Sequence, residues 1–448
     1  MKYKLSEYWV LREDRLKKQH QFSLFSVHSK EKKILNKPAL DLMKIFERGG
    51  VDLGLVRQVI GENLQTNEAD LLDEFVAAQI LVPDDEKALR WGKEYDHMTS
   101  DVALDELRKQ SSIALLSTPE MAEIHFTSTC NLSCLYCAYS AEPKKSEIIS
   151  SDQWKIIFDQ LESMLVCEIT LSGGELFLHP EITALLKDLS NRRFAVTIFT
   201  NGMLIREKHI SALRAKNIKV AVSLDGLDEY SHEDFRGKGS LKRVLSGIKL
   251  LSEGGVYYYL STTIHKKNYQ TIETLIQFAI DHKAVAIEMG LAADVGRCSG
   301  QEIAISSTES ISFTAQLKKL QHQYPAINLS FRGLKERTSK TARSNYEGVY
   351  CSAGTSRITI DSKGDVYPCV LCFGDSKFKI HNALDGEMNS MWIKGTWPLV
   401  RERIDIKKLG NCSKCSKNEF CEEVNCRLSA FYSKQGNILG STPFCSYS

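Results

Sequence analysis

From Met121 onward the sequence alternates short β-branched runs with longer amphipathic stretches, and this alternation narrows the possible folds more than any other feature. Ala122–Phe126, Glu168–Ser172, Ala195–Phe199, Val220–Ser223, Tyr257–Thr263 and Ala286–Met289 read as strands, with helical segments such as Asp152–Met164 between them. Strands separated by helices pair in parallel through crossovers, which gives an α/β architecture. About six βα units over roughly 170 residues fall short of the about 250 that a complete eight-unit barrel takes. A partial parallel (β/α)6 barrel is therefore expected. Its functional groups should gather at the C-terminal ends of the strands.

Two regions flank this core. Residues 1–85 read as a winged-helix-like domain. The alternating run Gln21–Val27 is a strand candidate, three short helices begin near Asn36, Asp52 and Asn67, and Ile80–Val82 returns as a strand. Residues 86–117 are mixed and charged, a linker with helical stretches. The barrel and a bridging region are expected over 118–345, and a Cys-rich region over 346–448.

Net charge is +2 over 448 residues, so no global basic field marks nucleic acid as a partner. No apolar run reaches the roughly 18 residues of a membrane span, and Met1–Ser6 lacks a secretory core. A cytoplasmic protein without a membrane partner is expected. The 13 cysteines are an odd number in a chain with no secretory signal, which argues against a disulfide framework. Eleven fall in two clusters, and clustered thiols in a reducing compartment point to metal. The outliers Cys167 and Cys298 read as buried small hydrophobes.

The first cluster, Cys130-Asn-Leu-Ser-Cys134-Leu-Tyr-Cys137, directly follows the first barrel strand. Three thiolates on one short loop can hold three corners of a [4Fe–4S] cubane and leave the fourth iron open. Zinc is the competing reading, with His125 as a further ligand. The spacing resembles the CxxxCxΦC signature of the radical S-adenosylmethionine superfamily, with Tyr136 at the aromatic position. Further segments extend the resemblance, each at a strand end. Ser172-Gly173-Gly174-Glu175 is similar to the motif that contacts the methionine amino group, and its glycines are expected to let the backbone approach that ligand. Ser223-Leu-Asp225-Gly226 is similar to the ribose- and carboxylate-binding segment, and Arg236 stands where related enzymes place an arginine on the ligand carboxylate. Thr200-Asn-Gly202 fits the family and equally fits a plain turn.

The second cluster, Cys351, Cys369, Cys372, Cys412, Cys415, Cys421, Cys426 and Cys445, resembles a SPASM domain. That resemblance implies one auxiliary [4Fe–4S] cluster on Cys351, Cys369 and Cys426, and another on Cys412, Cys415, Cys421 and Cys445. With the radical cluster this makes three. The chain departs from the pattern at Asn345, where some relatives carry a further cysteine, so the first auxiliary cluster has either an open iron or Cys372 as its fourth ligand. Two zinc sites are the competing reading.

The front domain is similar to leader-recognition domains of the pyrroloquinoline-quinone peptide chaperone (PqqD-like) type. Together the resemblances imply a radical S-adenosylmethionine peptide maturase acting on a ribosomally made precursor peptide with a leader. They imply electrons from a flavodoxin or ferredoxin-type donor and a thioether or carbon–carbon cross-link as product. Two alternatives remain. One is a sulfatase-maturase-like or small-molecule radical enzyme, against which stands Val370 where that maturase family has an aspartate. The other is a non-catalytic iron–sulfur peptide carrier.

Overall fold

The computed structural model describes residues 118–332 and 351–415, apart from 142, 144–147, 293–295, 299–301, 398, 402–403 and 405–407. It also describes 426–433, 436–440 and, before residue 118, six short strands with a few single positions.

Strands β1 (Lys2–Leu5), β2 (Trp9–Leu16), β3 (Gln19–Ser26), β4 (Lys32–Leu35), β5 (Val51–Asp52) and β6 (Leu81–Pro83) form two small sheets, ordered β5-β1-β6 and β2-β3-β4, with antiparallel pairing. The expected strands at Gln21–Val27 and Ile80–Val82 are β3 and β6. Of the three expected helices, only single helical positions such as Val56 and Leu72 are described, and the 86–117 linker lies almost wholly outside the described residues. Phe25 of β3 packs with Cys167 and Ala195, where two barrel strands begin. That contact sits at the N-terminal ends of those strands, opposite the rim expected to carry function.

The barrel runs β7 (Met121–Thr127), α1 (Ser151–Ser163), β8 (Glu168–Gly173), α2 (Ile182–Leu189), β9 (Ala195–Thr200), α3 (Glu207–Leu213), β10 (Ile218–Ser223), α4 (Ser240–Glu253), β11 (Tyr258–Ile264), α5 (Ile272–Asp281) and β12 (Ala286–Leu291). All six expected strands are present and pair in parallel in sequence order. Helix α1 shows why the alternation works. Ser150 and Gln153 close its N-terminus as a reciprocal capping box, and Trp154, Ile157, Phe158 and Leu161 recur at helical spacing on its buried face. Each large side chain so buried contributes roughly 1.5–3 kcal/mol.

The sheet extends past the expected six strands. Helix α6 (Ser307–Gln323), capped by Ser306 and Glu309, leads into β13 (Asn328–Arg332), which pairs in parallel with β12. On the opposite edge β14 (Arg357–Ile360) pairs in parallel with β7, followed by antiparallel β15 (Asp365–Tyr367) and β16 (His381–Asn382). Barrel and Cys-rich region thus share one ten-stranded sheet, ordered β13-β12-β11-β10-β9-β8-β7-β14-β15-β16. Gln160 of α1 reinforces the join, donating to the Ala383 carbonyl at 2.8 Å and accepting from the Met388 amide at 2.8 Å.

Candidate functional site

Beyond β7 the chain turns into the loop carrying Cys130, Cys134 and Cys137. All three line one cavity of about 320 Å³, together with Gly173, Gly174 and Arg236. The loop is tied to several strand ends. Asn131 accepts from the Asn201 side chain beyond β9 at 2.8 Å. The Leu135 amide donates to the Phe235 carbonyl beyond β10 at 2.8 Å. Beyond β12, Arg297 donates from Nε to the Cys134 carbonyl at 2.9 Å and from Nη2 to the Ala141 carbonyl at 2.7 Å. Burial pushes the Cys130 thiol up to about 12, and burial likewise raises Cys134 against the opposing charges of Arg236 and Arg297. Metal must displace protons from such thiols, the usual coupling at a thiolate site. Among the described residues no three His, Cys, Asp or Glu side chains converge on a single ion. A cubane asks for something else, one thiolate on each of three irons. Three thiols spread over one cavity wall fit it.

The glycines of Ser172-Gly173-Gly174-Glu175 are required for a reason the sequence did not disclose. A Cβ on Gly173, at φ +114°, would lie 2.2 Å from the His125 ring, and one on Gly174 would lie 2.0 Å from the Thr129 carbonyl oxygen. The close approach is between two segments of the chain itself. The Gly174 amide donates to Thr127 at 2.6 Å and that of Glu175 to Thr129 at 2.9 Å, so the β8 end braces the strand leading into the cysteine loop. Glu175 is fully buried behind the cavity wall. Its carboxylate accepts from the Phe177 amide, the Thr200 hydroxyl and the Asn201 amide at 2.8–3.1 Å. Burial raises its pKa, and these three bonds oppose that rise. Thr200-Asn-Gly202 is therefore more than a turn: it links Glu175 to Asn131.

Ser223, at the end of β10, lines the cavity, while Asp225 is buried behind it. Arg236 clasps Asp225 with two bonds, Nε to Oδ2 at 2.7 Å and Nη2 to Oδ1 at 3.0 Å. The Tyr136 hydroxyl also donates to Asp225, and the Thr263 amide does so at 2.9 Å. Burial opposes the charge on Asp225, but the Arg236 guanidinium overrides it and holds the carboxyl below its usual range. Arg236 also lies 5.3 Å from the Tyr136 ring centre. The structure thus brings Tyr136, Asp225 and Arg236 together as one buried network at the cavity edge.

In the C-terminal region Cys369 and Cys426 each lie within electrostatic reach of Cys351. Burial pushes the Cys351 thiol up to about 11. Cys369 caps the turn Val370–Cys372 and bonds to the thiol of Cys372, which is wholly buried. Cys372 therefore adjoins Cys369, a member of the set that the SPASM resemblance implies. Of the second auxiliary set, Cys415 is half-buried and Cys412 has only its backbone described, whereas Cys421 and Cys445 lie outside the described residues. Cys167 and Cys298 are buried, as expected of small hydrophobes.

Comparison with known proteins agrees with this geometry. The radical SAM superfamily profile matches residues 124–279, and that of SPASM, an iron–sulfur cluster-binding domain, matches 351–416. This chain is a radical SAM enzyme with a SPASM domain. Its two domains mark it as an iron–sulfur protein that binds S-adenosylmethionine. The AdoMet-dependent heme synthase of Methanosarcina barkeri is 26% identical over 75% of this chain and 98% of that protein. The antilisterial bacteriocin subtilosin biosynthesis protein AlbA of Bacillus subtilis is 27% identical over 68% of this chain and 66% of its own length. Among solved structures, Streptococcus suis SuiB bound to precursor peptide SuiA shares the fold, with TM-score 0.73 and 18% identity over 100% of both chains.

Asn131, Asn201 and Arg297 hold the cysteine loop of this radical SAM enzyme without any motif that marks them as its partners. Asn131 lies inside the CxxxC spacer, where any residue is permitted by the pattern. For Arg297 a signal existed: Gly296-Arg297 closes the segment after a barrel strand, the position where the other motifs stand.

Proposed function

We propose that this enzyme is a peptide maturase that abstracts a hydrogen atom from a ribosomally made precursor peptide and installs a thioether or carbon–carbon cross-link. The observation that carries the reading is the single sheet joining an open, thiol-lined cavity to a second group of cysteines. Cross-linking leaves a surplus electron after the new bond forms, and a second iron site fused to the first gives it somewhere to go. AlbA, a bacteriocin biosynthesis protein, and SuiB, solved with its precursor peptide, support the same substrate class.

In this reading residues 118–345 hold the radical cluster on Cys130, Cys134 and Cys137. Residues 346–448 hold two auxiliary clusters, one on Cys351, Cys369 and Cys426 with Cys372 beside them, the other on Cys412, Cys415, Cys421 and Cys445. Loaded with cluster and S-adenosylmethionine, such a site supplies reductive sulfonium cleavage and hydrogen-atom abstraction. The chain's own part is to bind and orient. Tyr136, Gly173, Gly174, Ser223 and Arg236 present the wall toward S-adenosylmethionine, and Glu175 and Asp225 act from behind it by fixing that wall. Residues 1–85 recognise the leader, with 86–117 as linker, and a cytoplasmic flavodoxin or ferredoxin-type protein delivers electrons.

A second reading, radical chemistry on a small molecule, is favoured by the match over nearly the whole length of the heme synthase. One experiment separates them. Reduced enzyme and S-adenosylmethionine are incubated without oxygen with short peptides encoded beside its gene, and the peptides are analysed by mass spectrometry. The maturase reading expects a mass loss of one hydrogen molecule per cross-link, weakened when residues 1–85 are deleted. Unmodified peptides together with 5′-deoxyadenosine formation that responds only to a small molecule would replace it with the second reading.

A further inference from the structure

We propose that Arg297 is a positioning residue for the radical cluster: it sets the curvature of the Cys134–Ala141 half of the loop and fixes a positive charge beside the Cys134 sulfur. The inference rests on Cys130, Cys134 and Cys137 being the cluster ligands. The first half of the loop has its own support, Asn201 on Asn131, and the Phe235 carbonyl holds the Leu135 amide where the second half begins. The second half is shaped by its own turns, with the Cys137 amide on the Cys134 carbonyl at 3.2 Å and the Ser140 amide on the Cys137 carbonyl at 3.2 Å. Arg297 reinforces both turns from outside. Its Nε meets the Cys134 carbonyl, its amide meets the Cys137 carbonyl at 3.2 Å, and its Nη2 reaches Ala141.

The residue before it makes this approach possible. Gly296 has φ +58°, and a Cβ there would lie 2.4 Å from the Cys137 oxygen and 2.6 Å from the Ala138 oxygen. Two backbones are thus pressed together at the point where the third cysteine stands. Arginine suits the task because its planar fork can hold two separate carbonyls at once, which an ammonium on a flexible stem does poorly. Its charge matters as well. Reduction makes a cluster more negative, and a nearby fixed cation favours the reduced form, more strongly where water is scarce.

The test uses the full-length chain with Arg297→Gln and Arg297→Lys. Before iron loading, hydrogen–deuterium exchange is followed over residues 134–141. After loading, the midpoint potential of the radical cluster is read by anaerobic titration with paramagnetic resonance. Arg297→Gln should exchange at least tenfold faster over that segment and move the midpoint to more negative potential; Arg297→Lys should keep most of the potential and lose most of the protection. A role in general stability alone would accelerate exchange throughout the barrel, and that outcome overturns the proposal. So does unchanged exchange over 134–141, which decides the matter even if the variant takes up no cluster. Faster exchange with an unmoved midpoint overturns the electrostatic half. If wild-type protein forms no radical cluster at all, the ligand assignment fails instead, and the exchange data stand apart from it.

Discussion

Cys130, Cys134 and Cys137 line an open cavity on a loop tied to the ends of β9, β10 and β12, whereas Cys369 and Cys372 touch each other on one tight turn, with Cys372 wholly buried. The first arrangement leaves room beside the thiols, as a site that must admit a cofactor and a substrate requires. The second encloses one thiol, that of Cys372, and leaves Cys369 half-buried: Phe373 follows directly and stacks on His125 of the barrel at 5.3 Å, and Tyr432 hydrogen-bonds with Cys372. The open cavity at the first and the buried Cys372 at the second are the difference that the proposed reading rests on. The lesson is that ligand spacing alone does not separate the two sites; what surrounds the thiols does.

The largest effect is expected at the network supporting the open site. Asp225→Ala leaves the buried Arg236 guanidinium without its carboxylate, a loss of about 3–5 kcal/mol. Denaturant unfolding should report it, together with lost S-adenosylmethionine binding. A stability within about 0.5 kcal/mol of wild type would mean that the Arg236–Asp225 clasp contributes nothing to the cavity wall. Next comes Gly174→Ala, whose new methyl meets the Thr129 carbonyl. Overpacking of this kind costs about 1–3 kcal/mol, and here it should displace the strand leading to Cys130. Iron content per chain should fall while the C-terminal share remains; an unchanged radical-cluster spectrum would break the link drawn between the glycines and the loop.

Much of this was legible in the sequence, and the exceptions are instructive. Strand and helix periodicity gave the six barrel strands because each is buried on both faces or one, which leaves a pattern in the residues themselves. Strand β13 leaves little trace because Asn328–Arg332 is only five residues long, and β14 because its four residues stand among cysteines and turn residues, with its partner β7 far away in the chain. Motif order placed Cys130, Gly173, Glu175, Ser223 and Arg236 around one site. It could not tell which of them face the cavity. Glu175 and Asp225 are turned into the protein by bonds to Asn201, Thr200 and Arg236, contacts that bring together residues from different strands and leave no local trace.

Acid should act on the barrel and on the join between the two cysteine regions. His125, His209, His232 and His265 are buried and held down to about 4, chiefly by burial. In the unfolded chain they titrate near about 6.5. Between those values the unfolded state binds more protons, so the stability they contribute is complete above about 6.5 and is lost as pH falls toward about 4. The Tm should decline across that window, and a flat profile there would contradict the buried neutral state. The smallest effect is expected for Cys372→Ala, which should shift the resonance signal of the first auxiliary cluster while leaving uncoupled S-adenosylmethionine cleavage intact. An unaltered auxiliary signal would reject Cys372 as a ligand and leave an open iron in the first auxiliary cluster.

The most direct measurement of the central claim replaces Cys130, Cys134 and Cys137 together with alanine and follows 5′-deoxyadenosine after reduction with S-adenosylmethionine. The account predicts no 5′-deoxyadenosine and iron retained only in the C-terminal region. Continued formation of 5′-deoxyadenosine by the triple variant would contradict it.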